Sequence, residues 1–502
     1  MQPQRQRIWD IPEIGCQLAL FFQDDQLAAV AAVCKSWYST FSPVLYSRLC
    51  WQGFGHAKRP SKDVIEAHSD EIRSLYLRGD TFDFPFEAVR YLKKLGFDTR
   101  TQDGQVWDRF IELIRRNTRL DTIEITLSTG IRMHELVKSL DSCSSLLKLK
   151  LSCRHLNQIC TELIFNTCTR LQELHLSARW SDGCRPFGES AVFPEMRTLH
   201  FDMGDGPSLN RQLEFIQRCP GLRSLSWTTS YLLPINDICK VFSENCRQLS
   251  RLSFASPILD GGIARVLDSC REITAFHDSD SNFGPSAFQS LERHFAMLVH
   301  LNVGTRSSMT STMVQAIMSS CPELISLTAP ALNVQDILGP IERHIDVDTG
   351  VGIVEAIHAH GWVCLNLCSF EVRICGLNES SVNSQRLVLQ QLARLEKLSV
   401  LNISSTDKKG NWNSDGLDLC LDAGLDILAK LRRLEKIAFI GVRQRMSEQD
   451  IKWMLQAWPR LKFIYGRTHF EKSQRHRHQA ILKEHHIGLG SLSIFDVDDD
   501  EE

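Results

Sequence analysis

No apolar run in the chain approaches the roughly 18 residues needed to cross a bilayer, so no membrane span is expected. Neither sign of charge dominates. The 57 Lys and Arg stand against 60 Asp and Glu, for a formal net charge of -3, which offers no broad field for nucleic acid or an anionic membrane. Catalytic signatures are missing too: there is no P-loop, no G-x-S-x-G, and no H-E-x-x-H, because His134-Glu135 is followed by Lys138 where the second His would stand. Those gaps exclude the commonest nucleotide, hydrolase and zinc-protease chemistries, so neither catalysis nor a cofactor is expected. The 17 cysteines contain no C-x-x-C pair, which argues against structural zinc. Met1 to Trp9 holds no apolar stretch to serve as a secretory signal, so a reducing compartment, cytoplasmic or nuclear, with free buried thiols is the expectation.

What the chain has in plenty is one short phrase. Cys143 to Leu151 reads C-S-S-L-L-K-L-K-L, and Cys168 to Leu176, Cys219 to Trp227, Cys246 to Phe254 and Cys321 to Leu327 repeat it as C-x-x-L-x-x-L-x-L. Its first apolar position falls at Leu120, Leu146, Leu171, Met196, Leu222, Leu249, Ile273, Leu298 and Leu324. Those steps lie inside the range of about 20–29 residues that marks a leucine-rich repeat. The alternating L-x-L piece predicts a short strand. Helical spacing before each Cys (Ile238, Val241 and Phe242; Ile263, Val266 and Leu267; Val314, Ile317 and Met318) predicts one helix per repeat. The fold class expected is α/β: a short three-helix module followed by a curved solenoid whose repeats stack to bury a shared core. A doubly wound α/β domain would need longer, more uniformly apolar strands. The repeat position of Cys143, Cys168, Cys219, Cys246, Cys270 and Cys321 carries Asn117, Phe193, Phe295 or Trp458 elsewhere, which identifies it as a core position.

Residues 8–51 fall outside the repeat. Ile11, Ile14, Leu18, Phe21 and Phe22 recur at helical spacing after Pro12; Asp24 and Asp25 can cap a second helix through Leu27, Val30, Ala31 and Cys34; and Ser42-Pro43 reads as the start of a third. Three helices in so few residues make a marginal core, which suggests an interaction module. I-P-E-I, D-D-Q-L, V-C-K-S-W-Y and P-V-L-Y, in that order, resemble an F-box. The resemblance implies docking on the Skp-type adaptor of a cullin-based (SCF) ubiquitin ligase, by way of Ile11, Pro12, Ile14, Leu18, Leu27, Val33, Cys34, Lys35 and Trp37. Gly15 and Gln17 depart from the pattern, which usually has aliphatic residues there.

Residues 52–110 read as a connector with a degenerate first repeat or cap, and 111–330 as regular repeats. Residues 331–361 read as an inserted surface loop: Asp346 to Gly350 begins like a calcium loop, but its twelfth position is Ile357 rather than Glu. Repeats resume over 362–466, where W-V-C-L-N-L, G-L-D-L-C-L-D-A-G-L and I-K-W-M-L-Q-A-W-P-R-L resemble the carboxy-terminal half of filamentous-fungal F-box proteins. Residues 467–502 read as a basic, His-rich arm with a frayed helix, then an acidic tail.

Side chains between the paired leucines should line the concave face: Lys150, His175, His200, Ser226, Ser253, His277 and Asn302 form the expected substrate surface. His175 and His200 should be neighbours there; the favoured reading is two solvated strand residues, and the sharper alternative is a stacked pair that makes binding sensitive to pH or holds a metal. No metal site is expected. The function these features point to is a substrate-recognition subunit of an SCF ligase, bound to a Skp-type adaptor, through it to a cullin, and to a protein substrate; the alternative is a non-ligase scaffold or inhibitor that uses the solenoid alone.

Overall fold

The computed structural model describes residues 12–19, 21–22, 24–52, 60–79, 83–99, 103–127, 132–180, 191–202, 209–229, 231–304, 306–339, 341–345, 352–356, 361–377, 382–405 and 416–490. They fall into two compact units, Met1–Thr229 and Ser230–Glu502.

The first unit opens with α1 (Pro12–Ala19), α2 (Asp24–Ala31) and α3 (Lys35–Ser47), which lead directly into β1 (Arg48–Gln52). Then follow α4 (Lys62–Ala67), β2 (Ser74–Arg78), β3 (Lys94–Thr99), α5 (Gly104–Arg116), β4 (Thr122–Leu127), α6 (Met133–Ser139), β5 (Lys148–Leu156), α7 (Gln158–Thr167), β6 (Glu173–Trp180), β7 (Thr198–Asp202), α8 (Leu209–Gln217) and β8 (Ser224–Thr228). Strands β1 to β8 form a parallel ladder in chain order. Register puts Leu75, Leu95, Ile123, Leu149, Leu174, Leu199 and Leu225 in one buried row. Each strand's next residue therefore points the other way, out of the sheet.

One expectation for this unit is revised. The third amino-terminal helix begins at Lys35, after an extended Cys34, and runs through Pro43; Ser42 is buried inside it rather than capping it. Packing of Phe41 on Ala19, Leu27 and Ala31 outweighs the proline's local penalty. Residues 52–110, read as a connector with a degenerate first repeat or cap, contain β2 and β3 in ladder register, and Phe84, Phe86 and Val89 between them are buried with no helix among the described residues.

The second unit contains α9 (Ile235–Glu244), β9 (Arg251–Ala255), α10 (Asp260–Ser269), β10 (Ala275–Asp278), α11 (Pro285–Leu291), β11 (His300–Val303), α12 (Ser311–Ser320), β12 (Ser326–Asn333) and α13 (Val334–Leu338). An antiparallel hairpin of β13 (Ile341–Ile345) and β14 (Gly352–Ala356) comes next. The unit closes with β15 (Ser369–Cys375), α14 (Val382–Ala393), β16 (Val400–Asn402), β17 (Lys436–Ala438), α15 (Glu448–Ala457), β18 (Phe463–Tyr465), α16 (Lys472–Glu484) and β19 (Gly488–Gly490). Strands β9 to β12 and β15 to β19 form its parallel ladder, the hairpin standing outside it. The inserted segment is thus not all loop: Val334, Ile337 and Leu338 of α13 are buried. Likewise the basic arm is not frayed. Helix α16 buries His478 and Leu482, and β19 adds a last rung. Leu425–Lys430 form a 3-10 helix.

The cysteine row is interior, as the substitution pattern requires: Cys143, Cys168, Cys219, Cys246, Cys270 and Cys321 are all buried. Burial pushes the thiols of Cys246, Cys270 and Cys321 up to about 12, so they pack as small apolar groups.

Buried histidines are expected to make the second unit acid-sensitive. His294 is 3% exposed; its Nδ1 accepts the Ile273 N–H at 3.2 Å, and its Nε2–H donates to the Leu267 carbonyl at 3.4 Å. Burial holds its pKa below the ordinary value, as burial and then neighbouring His469 do for His478. The unfolded chain takes up these protons near about pH 6.5 while the folded chain resists them, so the stabilisation is full above that pH and is lost as pH falls below it. The thermal midpoint of the second unit is expected to drop between about pH 7.5 and about 5; an unchanged midpoint would contradict this.

Candidate protein-binding surfaces

The expected docking residues on the amino-terminal helices separate by environment. Leu27 is 3% exposed and belongs to the small core, a correction to its reading as a contact residue. Trp37 is half-buried, its ring set edge-on to Phe41 at 6.0 Å. Ile14 and Leu18 are half-buried on α1, and Pro12 begins that helix; Ile11 lies outside the described residues. Val33 and Cys34, in the turn between α2 and α3, and Lys35, which begins α3, are exposed. Phe21 (83%) and Val33 (63%) are among the most exposed large apolar side chains described, and Tyr38 is exposed beside them in sequence. Among the described residues the core of this module has four buried side chains, and Phe21, Val33 and Tyr38 stay in water outside it as an exposed apolar surface.

This module is pinned to the first repeat. The Tyr46 ring stacks on His68 at 3.9 Å, the Tyr38 hydroxyl meets His68 Nε2 at 2.8 Å, and His68 Nδ1 meets Glu71 at 3.0 Å.

The outward row of the first unit includes the expected Lys150, His175, His200 and Ser226 on successive strands β5 to β8. The rings of His175 and His200 stack, with centroids 5.2 Å apart and 18° between their planes. Burial, and then the neighbouring imidazole of His175, lower the pKa of His200. In the second unit Ser253, His277 and Asn302 align on β9, β10 and β11. Farther along, Glu371 accepts from Asn402 Nδ2 at 3.2 Å and from the Ser369 hydroxyl at 3.3 Å.

Residues two places earlier on each strand share the same face, and reading only the central row overlooked them. Lys148 bonds Glu173 at 2.8 Å, and Glu173 also meets His175 Nε2 at 3.0 Å. Burial acts to raise the Glu173 pKa, but Lys148 and His175 outweigh it and the carboxyl is held below its usual range. Lys150 pairs with Glu124 at 3.9 Å, and Arg78 with Asp98 at 3.5 Å. A shallow depression between the strands is lined by Lys94, Glu124, Lys148, Lys150, Glu173 and His175. The missed signal was the period of two itself, which puts Lys94, Lys148 and Glu173 on the outward face. Among the described residues, no group of three or more His, Cys, Asp or Glu is placed to hold a metal ion, and no helix is long and apolar enough to cross a membrane.

No family model matches the chain, and no curated protein matches it. Among solved structures it is similar to an internalin (inlF) from Listeria monocytogenes, at 13% identity over 75% of this chain and 81% of that one, with a TM-score of 0.33. It is also similar to the yeast Rad7 and Elc1 complex, at 12% identity over 91% and 92% with a TM-score of 0.39. A third similarity is to the mouse RP105/MD-1 complex, at 12% over 86% and 84% with a TM-score of 0.38.

Proposed function

We propose that this protein is a substrate-recognition subunit of an SCF-type ubiquitin ligase. Helices α1 to α3 dock a Skp-type adaptor and, through it, a cullin, while the outward strand faces of the repeats hold a protein substrate. The chain performs no chemistry; it raises the local concentration of substrate at the conjugating enzyme. Two features support this reading: the F-box-like order of motifs in residues 8–51, and a leucine-rich-repeat fold built for binding. The observation that carries it is the exposed apolar surface of the amino-terminal helices at Phe21, Val33 and Tyr38, beside a core too small to use it.

The test is direct binding of the intact chain to a purified fungal Skp-type adaptor, alongside Val33→Asp. Val33 lies in an exposed turn, so the substitution leaves the helices folded, and capture is expected to fall at least about tenfold, as for loss of a central contact. No capture by the intact, folded chain sinks the ligase reading and favours a scaffold that uses the repeats alone.

A further inference from the structure

The outward face of the first unit carries a charge pattern that the general reading leaves unexplained. Three of its carboxylates are already matched: Asp98 by Arg78, Glu124 by Lys150 and Glu173 by Lys148. Asp121 and Asp202 each accept a hydroxyl, from Thr122 and Ser177. Lys94 on β3 and, at the edge where strands enter the sheet, Lys93 and Arg197 are exposed and make no ion pair among the described residues. Counted together, these six cations outnumber the five carboxylates by one, so on a chain whose net charge is -3 this face leans slightly basic.

Beside Lys94 the floor is flat. The Tyr76 ring lies across Gly96, in the space that a Cβ would need. Surface pairs of this kind are each worth only about 0–1 kcal/mol, so Lys148 and Lys150 can turn to an incoming carboxylate at little cost.

We propose that this face takes an extended acidic segment of a protein partner, with carboxylates meeting Lys94, Lys148 and Lys150 across strands β3 to β7. The proposal rests on the reading above and names the class of substrate. Those strands span on the order of 19 Å, the length of about six extended residues. A nucleic acid fits less well, because Asp98, Glu124, Glu173 and Asp202 are interleaved with the lysines and would face a continuous run of phosphates. A peptide offers N–H donors between its acids.

The stacked histidines add a pH dependence. Facing His200 are Lys150 on β5, Glu173 and His175 on β6, and Asp202 on its own strand, while β8 presents only the hydroxyls of Ser224, Ser226 and Thr228. The neutral ring favoured in the free protein gains a proton when a carboxylate arrives, so affinity rises as pH falls.

The probes are a fluorescent peptide of about eight residues built from Asp, Glu and Ser, its Asn/Gln isostere, and a single-stranded oligonucleotide of similar length, titrated with the full chain at about 0.15 M salt. The acidic peptide is expected to bind at least tenfold tighter than either competitor, and K94Q/K148Q/K150Q to lose at least tenfold. Binding should strengthen severalfold from about pH 7.5 to about 6, and should not do so in His200→Gln. Equal affinity for the isostere, tighter binding of the oligonucleotide, or full binding by the triple variant overturns the proposal; a flat pH profile overturns the histidine part. The three lysines are exposed, and should the variant misfold, the selectivity of the intact chain still decides. A chain that captures the adaptor yet ignores the acidic peptide defeats this inference alone, whereas one that binds the peptide and not the adaptor defeats the ligase reading alone.

Discussion

Asn117→Leu is expected to destabilise the first unit by about 3–5 kcal/mol, although the repeat pattern makes it look conservative. Asn117 occupies the position that Cys fills in most other repeats, at 1% exposure. It is there for its amide. Nδ2 donates to the carbonyls of Val89 at 3.1 Å and Leu113 at 2.8 Å, and Oδ1 accepts the Leu92 N–H at 2.9 Å. The segment containing Val89 and Leu92 enters the sheet with no helix before it among the described residues 83–93, and the Asn117 side chain stands in for helical partners. Leucine restores the volume and abandons two buried backbone groups, the Val89 carbonyl and the Leu92 N–H; the Leu113 carbonyl keeps the Asn117 backbone N–H. Urea unfolding measures the loss, and a change under about 1 kcal/mol would show that water or backbone movement replaces the amide. Cys143→Ala, by contrast, removes only a small apolar group that is worth about 1–2 kcal/mol.

Gln444→Leu should cost about 2–5 kcal/mol in the second unit, for a related reason. Residues 416–420 form neither helix nor strand, yet Leu417, Leu419 and Asp418 are buried. Their backbone is met by side chains. Gln444 Oε1 accepts the Leu419 N–H at 2.8 Å, and its Nε2 donates to the Leu417 carbonyl at 2.9 Å. From the other side Gln385 donates to the Asp418 carbonyl at 2.8 Å and accepts its N–H at 3.3 Å. Asp450, which closes the capping box of α15 with Ser447, accepts the Leu421 N–H at 2.7 Å. A leucine at 444 fits the surroundings by polarity and fails the strand-like backbone it faces. Gln444→Glu should be nearly as harmful, because the carboxylate keeps one acceptor and loses the donor. Thermal unfolding of the two variants compares them; wild-type stability in Gln444→Leu would contradict the account.

These two sites also mark where the sequence stopped being readable. The strand rows followed from the period of two: once Leu149, Leu174 and Leu199 were assigned inward, Lys150, His175 and His200 had to face outward on adjacent strands, and they do. Helix faces such as Ile263, Val266 and Leu267 were legible for the same reason. Segments whose backbone is satisfied by distant side chains have no local period, so 83–93 and 416–424 offered no register. The hydrogen bonds that hold them come from Asn117, Gln385, Gln444 and Asp450, between 25 and 38 residues away in sequence. Helix α3 was divided wrongly because Ser42-Pro43 is a helix-start signal and nothing local reveals that Phe41 has a core to fill. His175 and His200 could be placed side by side from spacing, but the charges around them required the rows on either side.

Hydrogen exchange of the intact chain, with and without a saturating Skp-type adaptor, tests the central claim most directly because it asks which end of the molecule is used. The account predicts new protection confined to α1, α2, α3 and the turn at Val33 to Lys35, with the amides of β2 to β8 unchanged. Protection in the strands with the amino-terminal helices unaffected, or no protection anywhere in a folded chain, would contradict it.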